Sequence, residues 1–191
     1  DFNENGFSTE GMECLMCGAC TSTVPNHGYF LLKDADGKKY LYEVDTNNVT
    51  TLDRIELDAL SKVANATCYA TNQLTASYLY YIYDNKLYAY NLTERSEEEN
   101  PLTLEGLPEG ETITYLSYQW LNCAADKETG YNFTHLMVGT QNGNTYRVYM
   151  YDLAASVPKK LVRVVEGQGI LKSVAYVSSR FDANSSDDAS F

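Results

Sequence analysis

The chain has 191 residues, of which 26 are Asp or Glu and 14 are Lys or Arg, so its formal net charge is −12. So few basic residues argue against nucleic acid or an anionic membrane surface as a partner, because both need a basic face. The composition, 44% hydrophobic and 21% charged, is that of a folded protein with one or two domains. The unusual feature is tyrosine, with 17 Tyr against 6 Phe and 1 Trp.

Both ends of the chain are polar. The sequence starts at Asp1 with no initiator Met and no apolar signal segment, so we expect a processed chain or a fragment. Residues 1–27 predict an irregular lead-in that contains the first strand, and residues 182–191 predict a disordered tail. No run of about 18 apolar residues exists, so no transmembrane helix is predicted.

A hairpin pattern occurs three times along the chain, at residues 29–45, 78–93 and 135–153. Each hairpin is an apolar strand, a tight turn rich in Asp, Asn or Gly, and a second strand. The turn residues supply the positive φ angles that type I′ turns require. Each second strand reads Tyr-apolar-Tyr-polar-aliphatic, which indicates one repeated structural unit.

Two more strand-like runs flank each hairpin. The lead strands are predicted at 13–17, 67–71 and 113–120, and the fourth strands at 51–57, 101–107 and 159–165. A last run at 170–177 resembles the lead strand of another unit. The stretch 51–65 is ambiguous, because Leu57, Leu60, Val63 and Ala64 are spaced as in a short helical turn.

Four antiparallel strands in about 50 residues, repeated, are the period of a β-propeller blade. We therefore predict an all-β fold over residues 28–181, a partial β-propeller of about three blades plus one strand. The predicted blades span 13–57, 67–107 and 113–165, with the final strand at 170–177; a β-sandwich is the alternative. Three blades cannot close a ring, so we expect an upstream segment or a companion chain to complete it.

Five cysteines occur, and three of them form the run Cys14, Cys17 and Cys20. This spacing is shared with part of the bacterial ferredoxin run, but the fourth Cys and the following Pro are missing. A zinc site would need a fourth ligand from one of four residues, namely Cys68, Cys123, His27 or His135. Side chains three apart on an extended strand point to opposite faces, so we predict no metal and no cofactor.

Catalytic patterns are scarce. The chain has two His and lacks the nucleophile-elbow, phosphate-loop and dinucleotide motifs. An acidic run, consisting of Glu94, Glu97, Glu98 and Glu99, is interpreted as a solvated loop. Asp34, Asp36 and Gly37 resemble the start of a calcium loop, but the hairpin turn already explains them. Catalysis is therefore not predicted, although a glycosidase pair of carboxylates is an open alternative because such pairs converge only in three dimensions.

Aromatic side chains supply the candidate ligand contacts. Alternation places Tyr88 with Tyr90, and Tyr149 with Tyr151, on one strand face, where we expect them to fill the space between blades. A polar insertion at 122–134 separates two strands of the third unit. Inserted loops on a rigid scaffold carry binding residues, so we predict Trp120, Tyr131 and Phe133 as ligand-binding residues.

The Tyr-rich hairpins at 78–92 and 136–153, with the length of the unit, resemble the C-terminal propeller of PKD-like surface lipoproteins from gut Bacteroidota. The resemblance covers residues 28–181, but nothing matches the lipidated N-terminal Cys of that family. It implies a cell-surface protein of the outer membrane, anchored through a segment not in this chain. Its implied partners are an outer-membrane uptake transporter, other lipoproteins, and a glycan or peptide ligand.

We therefore predict a non-catalytic binding and assembly module. The alternatives are a structural subunit of a larger membrane complex and a glycan-active propeller enzyme. Five Asn-x-Ser/Thr sequons are compatible with a secreted protein as the alternative location.

Overall fold

The computed structural model describes residues 8–19, 27–45, 47, 50–71, 78–120, 134–152, 160–174, 177–178 and 189–190. These residues form strands, turns and loops, and none of them lies in a helix. Accordingly, the described part of the chain offers no helix capable of crossing a membrane. The predicted all-β class is confirmed.

Three four-stranded sheets account for most of the described residues. The first sheet consists of β1 (Glu13–Ala19), β2 (His27–Lys33), β3 (Lys39–Asp45) and β4 (Thr50–Glu56). The second consists of β5 (Cys68–Thr71), β6 (Tyr78–Tyr83), β7 (Lys86–Asn91) and β8 (Ser96–Glu97). The third consists of β9 (Thr112–Trp120), β10 (Thr134–Asn142), β11 (Thr145–Asp152) and β12 (Lys160–Gln168).

Each sheet is an antiparallel meander, because its strands are hydrogen-bonded neighbours in chain order. The predicted repeat of a four-stranded antiparallel unit is therefore confirmed. The chain divides into two compact units, Asp1–Pro101 with the first and second sheets and Leu102–Phe191 with the third. The second unit also contains the short pair β13 (Val177–Ser178) and β14 (Ala189–Ser190).

All three predicted hairpins form, but only the second has the positive φ at both central residues that a type I′ turn requires. In the first and third turns only Gly37 and Gly143 have a positive φ. Asp84 and Asn85, with φ of 48° and 58°, make the two-residue turn between β6 and β7. In the first hairpin the carboxylate of Asp34 accepts the backbone N–H groups of Asp36 (3.0 Å) and Lys38 (2.9 Å). Its second oxygen accepts the hydroxyl of Tyr40 at 3.1 Å. These bonds occupy Asp34 within the turn, which supports the hairpin interpretation over a calcium loop.

The fourth strand of the second sheet lies earlier than the predicted 101–107. Asn91 Oδ1 accepts the backbone N–H groups of Thr93 and Glu94, each at 3.0 Å, and Arg95 takes a φ of 56°. This tight Asx turn reverses the chain directly after β7. Ser96 and Glu97 therefore pair with Asn91 and Tyr90, and the strand is only two residues long.

Two further segments differ from the sequence-based expectation. The ambiguous stretch at 51–65 forms β4 and then a series of turns without a helix. Residues 170–174, predicted as the start of the final strand, do not pair with a strand. Instead Leu171 and Val174 pack on one face of the third sheet, against Met137, Val148 and Met150. The hydroxyl of Tyr115 donates to the carbonyl of Val174 at 3.1 Å and holds this segment in place.

The core of the first unit lies between its two sheets. Leu31 and Leu41 of the first sheet pack with Leu79 and Tyr81 of the second, and all four are at most 1% exposed. Full burial of such an aliphatic side chain contributes about 1.5–3 kcal/mol, so this interface stabilises the unit strongly. The sheets approach most closely at β1 and β5, where Gly18 faces Thr71.

Gly18→Ala tests this close approach. A Cβ at position 18 would fall on the hydroxyl of Thr71 and lie 2.9 Å from its Cβ, closer than real Cβ contacts allow. We expect the substitution to lower the free energy of unfolding by about 1–3 kcal/mol, measured by urea denaturation. Adding Thr71→Ala, which removes the nearest atom, should restore part of the loss. Equal stability of Gly18→Ala and the unaltered chain would contradict this packing.

Candidate functional site

The predicted ligand-binding residues fall at the edge of the described structure. Trp120 ends β9, where its backbone pairs with Thr134, but its side chain lies outside the described residues. Tyr131 and Phe133 lie wholly outside them. Their role in binding stays a prediction.

The paired tyrosines of the second hairpin lie in the core. Tyr88 and Tyr90 are 8% and 5% exposed and belong to the apolar cluster between the first and second sheets. The rings of Tyr81 and Tyr88 stack with centroids 5.7 Å apart. The expected packing of these tyrosines between repeated units is confirmed for this pair, so neither is a free platform for a ligand.

The prediction that cysteines three residues apart point to opposite faces of the strand is wrong for Cys14 and Cys17 in β1. A β-bulge at Leu15 shifts the register, so that Cys14 pairs with Leu32 and Cys17 pairs with Phe30. Since Leu32 and Phe30 are two residues apart on β2, both thiols lie on the same face of the first sheet. Both are exposed. Burial, and secondarily the neighbouring Cys17, raise the pKa of the Cys14 thiol.

A metal site is not assembled within the described residues, which hold no group of three or more His, Cys, Asp or Glu side chains suited to a metal ion. Cys20, Cys123 and the side chains of His27 and His135 lie outside the described residues. The expectation of no metal is therefore still a prediction.

The acidic run is not uniformly solvated, and the interpretation was wrong for Glu97. Glu94, Glu98 and Glu99 are exposed, as expected for a loop. Glu97 instead lies in β8, and its carboxylate accepts the backbone N–H of Val63 at 2.5 Å and the hydroxyl of Tyr81 at 3.2 Å. It thereby holds residues 58–66, the loop between β4 and β5, against the second sheet.

That loop closes one side of a cavity of about 180 Å3 within the first unit. We call it the lysine cavity, and its lining consists of Leu15, Lys33, Lys39, Ala66, Thr67, Cys68 and Tyr69. The first strands of both sheets, the β2–β3 hairpin and the loop each contribute to it. Two of its seven lining residues are cations in a chain whose net charge is −12.

Lys39 is the partly buried cation of the lysine cavity. Its ammonium donates to the carbonyl of Ala64 at 2.6 Å and to the hydroxyl of Tyr69 at 3.2 Å. Tyr69 in turn donates to the carbonyls of Val63 (2.8 Å) and Ala66 (3.2 Å). Both oxygens that Lys39 contacts are uncharged, and within the described part of the chain no carboxylate forms an ion pair with it.

The electrostatics of the lysine cavity disfavour the charged forms of Lys39, Cys68 and Tyr69. Burial and the nearby Lys33 lower the pKa of Lys39, and Glu13 offsets this only in part. Burial raises the pKa of the Cys68 thiol and of the Tyr69 hydroxyl, so both are neutral at pH 7. Lys33 pairs with Glu13 at 2.5 Å in a more exposed position at the rim.

The second unit contains a buried carboxylate, Glu111, which is 3% exposed. It accepts hydrogen bonds from the hydroxyls of Thr140 and Tyr149, the latter at 3.1 Å, and from the guanidinium of Arg147. Arg147 also bonds Glu166 at 2.7 Å. Burial raises the pKa of Glu111, but the bonds from Thr140, Tyr149 and Arg147 outweigh it and hold that pKa below the ordinary value.

Chemically, the two polar sites differ. Glu111 is held ionised by donors from its own unit, so it is not poised to donate a proton as a glycosidase acid would. The lysine cavity has excess positive charge and open volume, so it can accept an anion.

Sequence reasoning missed both sites, although each left a signal. Lys33 and Lys39 stand opposite each other across a predicted hairpin, which is an unfavourable pair of like charges. Arg147 is two residues from the buried Tyr149 on β11, so both side chains lie on the same face of the sheet. An arginine on a buried face indicates a buried acidic partner.

No protein-family model matches the chain, and no curated protein matches it.

Thiol labelling tests the arrangement on β1. We expect iodoacetamide to modify the exposed Cys14 and Cys17 before the half-buried Cys68, because the reagent reaches exposed thiols first. Tandem mass spectrometry of the digested native protein reads the order, and labelling in denaturant serves as the control in which that order is lost. Modification of Cys68 first would contradict the described burial.

The pH dependence of stability tests the Glu111 site. A carboxylate with a lowered folded pKa stabilises the fold above its unfolded pKa of about 4.3, and this contribution is lost as the pH falls below that value. We expect Glu111→Gln to cost about 1–3 kcal/mol at pH 7 and to flatten the loss of stability in acid. Glu166→Gln, which alters the exposed partner of the same arginine, is the matched control. An unchanged acid profile in Glu111→Gln would contradict the assignment.

Proposed function

We propose that the chain is a non-catalytic binding and assembly module built from β-propeller blades. The observation that carries the binding function is the lysine cavity, where a partly buried ammonium faces open volume without an ion-pair partner among the described residues. A cation in such a position is costly for the protein alone, and a bound anion offsets that cost.

The blade assignment is supported by the sheets themselves. Three consecutive meanders of four strands are the building plan of propeller blades. In the first unit the two sheets share one apolar cluster that includes four tyrosines, and Gly18 of one lead strand meets Thr71 of the other. Such face-to-face packing of successive sheets is what neighbouring blades of a propeller require. On this proposal, an upstream segment or companion chain supplies the remaining blades.

The absence of a catalytic role is supported by the buried acid of the second unit. Glu111 is engaged by three donors from its own unit, and its environment favours the ionised form. A glycosidase needs a second carboxylate whose pKa is raised. The charge at Glu111 is therefore better explained as a structural device.

The setting of the module is proposed from the Tyr-rich hairpins. Their resemblance to PKD-like lipoproteins favours an outer-membrane accessory protein at the cell surface, which captures glycans or peptides beside an uptake transporter and other lipoproteins. Trp120, Tyr131 and Phe133 are then further ligand contacts, since aromatic rings stack on sugars and peptide side chains.

A binding screen tests the proposed function. The chain is titrated with neutral and acidic oligosaccharides and with short peptides, and binding is followed by calorimetry while chromatography monitors each ligand for cleavage. We expect saturable binding of at least one ligand without turnover, and weaker binding in Trp120→Ala. Cleavage of a glycan would replace the binding module with the enzyme alternative. No binding across the panel would leave only the structural-subunit alternative.

A further inference from the structure

We propose that the lysine cavity binds a carboxylate, so that the ligand captured by this protein is an acidic glycan or peptide that places its carboxylate beside Lys39. This inference rests on the proposed binding function and names the chemical class of its ligand.

The first argument is the balance of charge. Lys33 and Lys39 are direct neighbours across β2 and β3, and like charges in that position repel. Glu13, opposite Lys33 on β1, neutralises one of them with an ion pair of 2.5 Å. One positive charge is left over at the lysine cavity. A singly charged carboxylate balances it, whereas a phosphate dianion would overshoot.

The second argument is the count of hydrogen-bond donors. An ammonium group has three N–H donors. Ala64 and Tyr69 accept two of those of Lys39, and Tyr69 directs its own hydrogen toward the carbonyls of Val63 and Ala66. Among the described residues no acceptor is found for the third donor of Lys39, so this donor is available to a ligand. A hydrogen bond between opposite charges is stronger than one between neutral groups.

The third argument is size and lining. A volume of 180 Å3 equals about six water molecules at 30 Å3 each, which admits a carboxylate with a short carbon stem. Leu15 and Ala66 provide apolar surface for the stem. A uronic acid or an acidic amino acid has a group of this kind at its end, and the rest of the ligand extends from the mouth of the cavity.

The test compares matched sugars and matched lysines. Glucuronate and glucose differ only at the carboxylate, and Lys38 is an exposed neighbour of Lys39 that pairs with Glu56 at 3.1 Å. We expect glucuronate to bind and glucose not to bind, as measured by chemical-shift perturbation of the intact chain. Lys39→Met should weaken glucuronate binding by at least about tenfold, and Lys38→Met should leave it unchanged.

A second variant keeps the test decisive if Lys39→Met fails to fold. Glu13→Gln removes the carboxylate that neutralises Lys33 and leaves the cavity lining intact, so we expect it to tighten glucuronate binding. Inorganic phosphate is the competitor that separates a carboxylate site from a general anion site, and binding of phosphate more tightly than glucuronate would overturn the proposal.

The outcomes separate this inference from the binding function on which it rests. If a neutral ligand binds the chain and its Lys39→Met variant equally, the binding module stands and the carboxylate site is wrong. If glucuronate and acidic peptides fail to bind and Glu13→Gln does not change this, the carboxylate site is wrong whatever else the chain binds.

Discussion

The carboxylate of Glu97 is the contact on which the architecture of the first unit depends. It accepts the backbone amide of Val63 and the hydroxyl of Tyr81, and so joins the outermost strand of one sheet to the loop that connects both sheets. The loop then presents the carbonyls of Val63, Ala64 and Ala66 to Tyr69 and Lys39. Glu97, at the edge of the second sheet, therefore helps to shape the lysine cavity although it does not line it.

The repeat and its hairpins were predictable because they follow from local chemistry. Alternation of Tyr with small and aliphatic residues indicates strands, and Asp84-Asn85 indicates a turn without any knowledge of the fold. The two-residue strand β8 was not predictable in the same way. Asn91 is the last residue of β7, and its side chain also forms the turn that leads directly into β8. The apolar run that follows it was the stronger strand signal and proved misleading.

The candidate site was less accessible to sequence reasoning than the fold. Lys33, Lys39 and Tyr69 come from three strands and two sheets, so only the packing of the sheets brings them together. The aromatic residues that the sequence singled out lie around an insertion, and their side chains are outside the described residues. Local patterns locate strands and turns, whereas a cavity depends on which faces meet.

Glu111 and Lys39 illustrate two ways to hold a charge inside a small protein. The carboxylate is surrounded by donors of its own unit, including an arginine, and so its ionised form is stable without help. Among the described residues, the oxygens that accept hydrogen bonds from the ammonium are uncharged. Buried charges without a counter-ion are rare in protein interiors because their desolvation is costly. We therefore interpret Glu111 as a structural charge and Lys39 as a contact for a ligand.

The bulge at Leu15 has a consequence for how this strand can change in evolution. With strict alternation from Glu13, the side chain of Cys17 would point at the second sheet, and Gly18 would point away from it. The extra residue reverses this order, so that the one residue without a side chain meets Thr71. Loss or gain of a single residue between Glu13 and Gly18 would thus exchange the two faces of β1. A change in the length of this strand is therefore more disruptive than a substitution at one of its exposed positions, whereas Gly18 is constrained in identity as well.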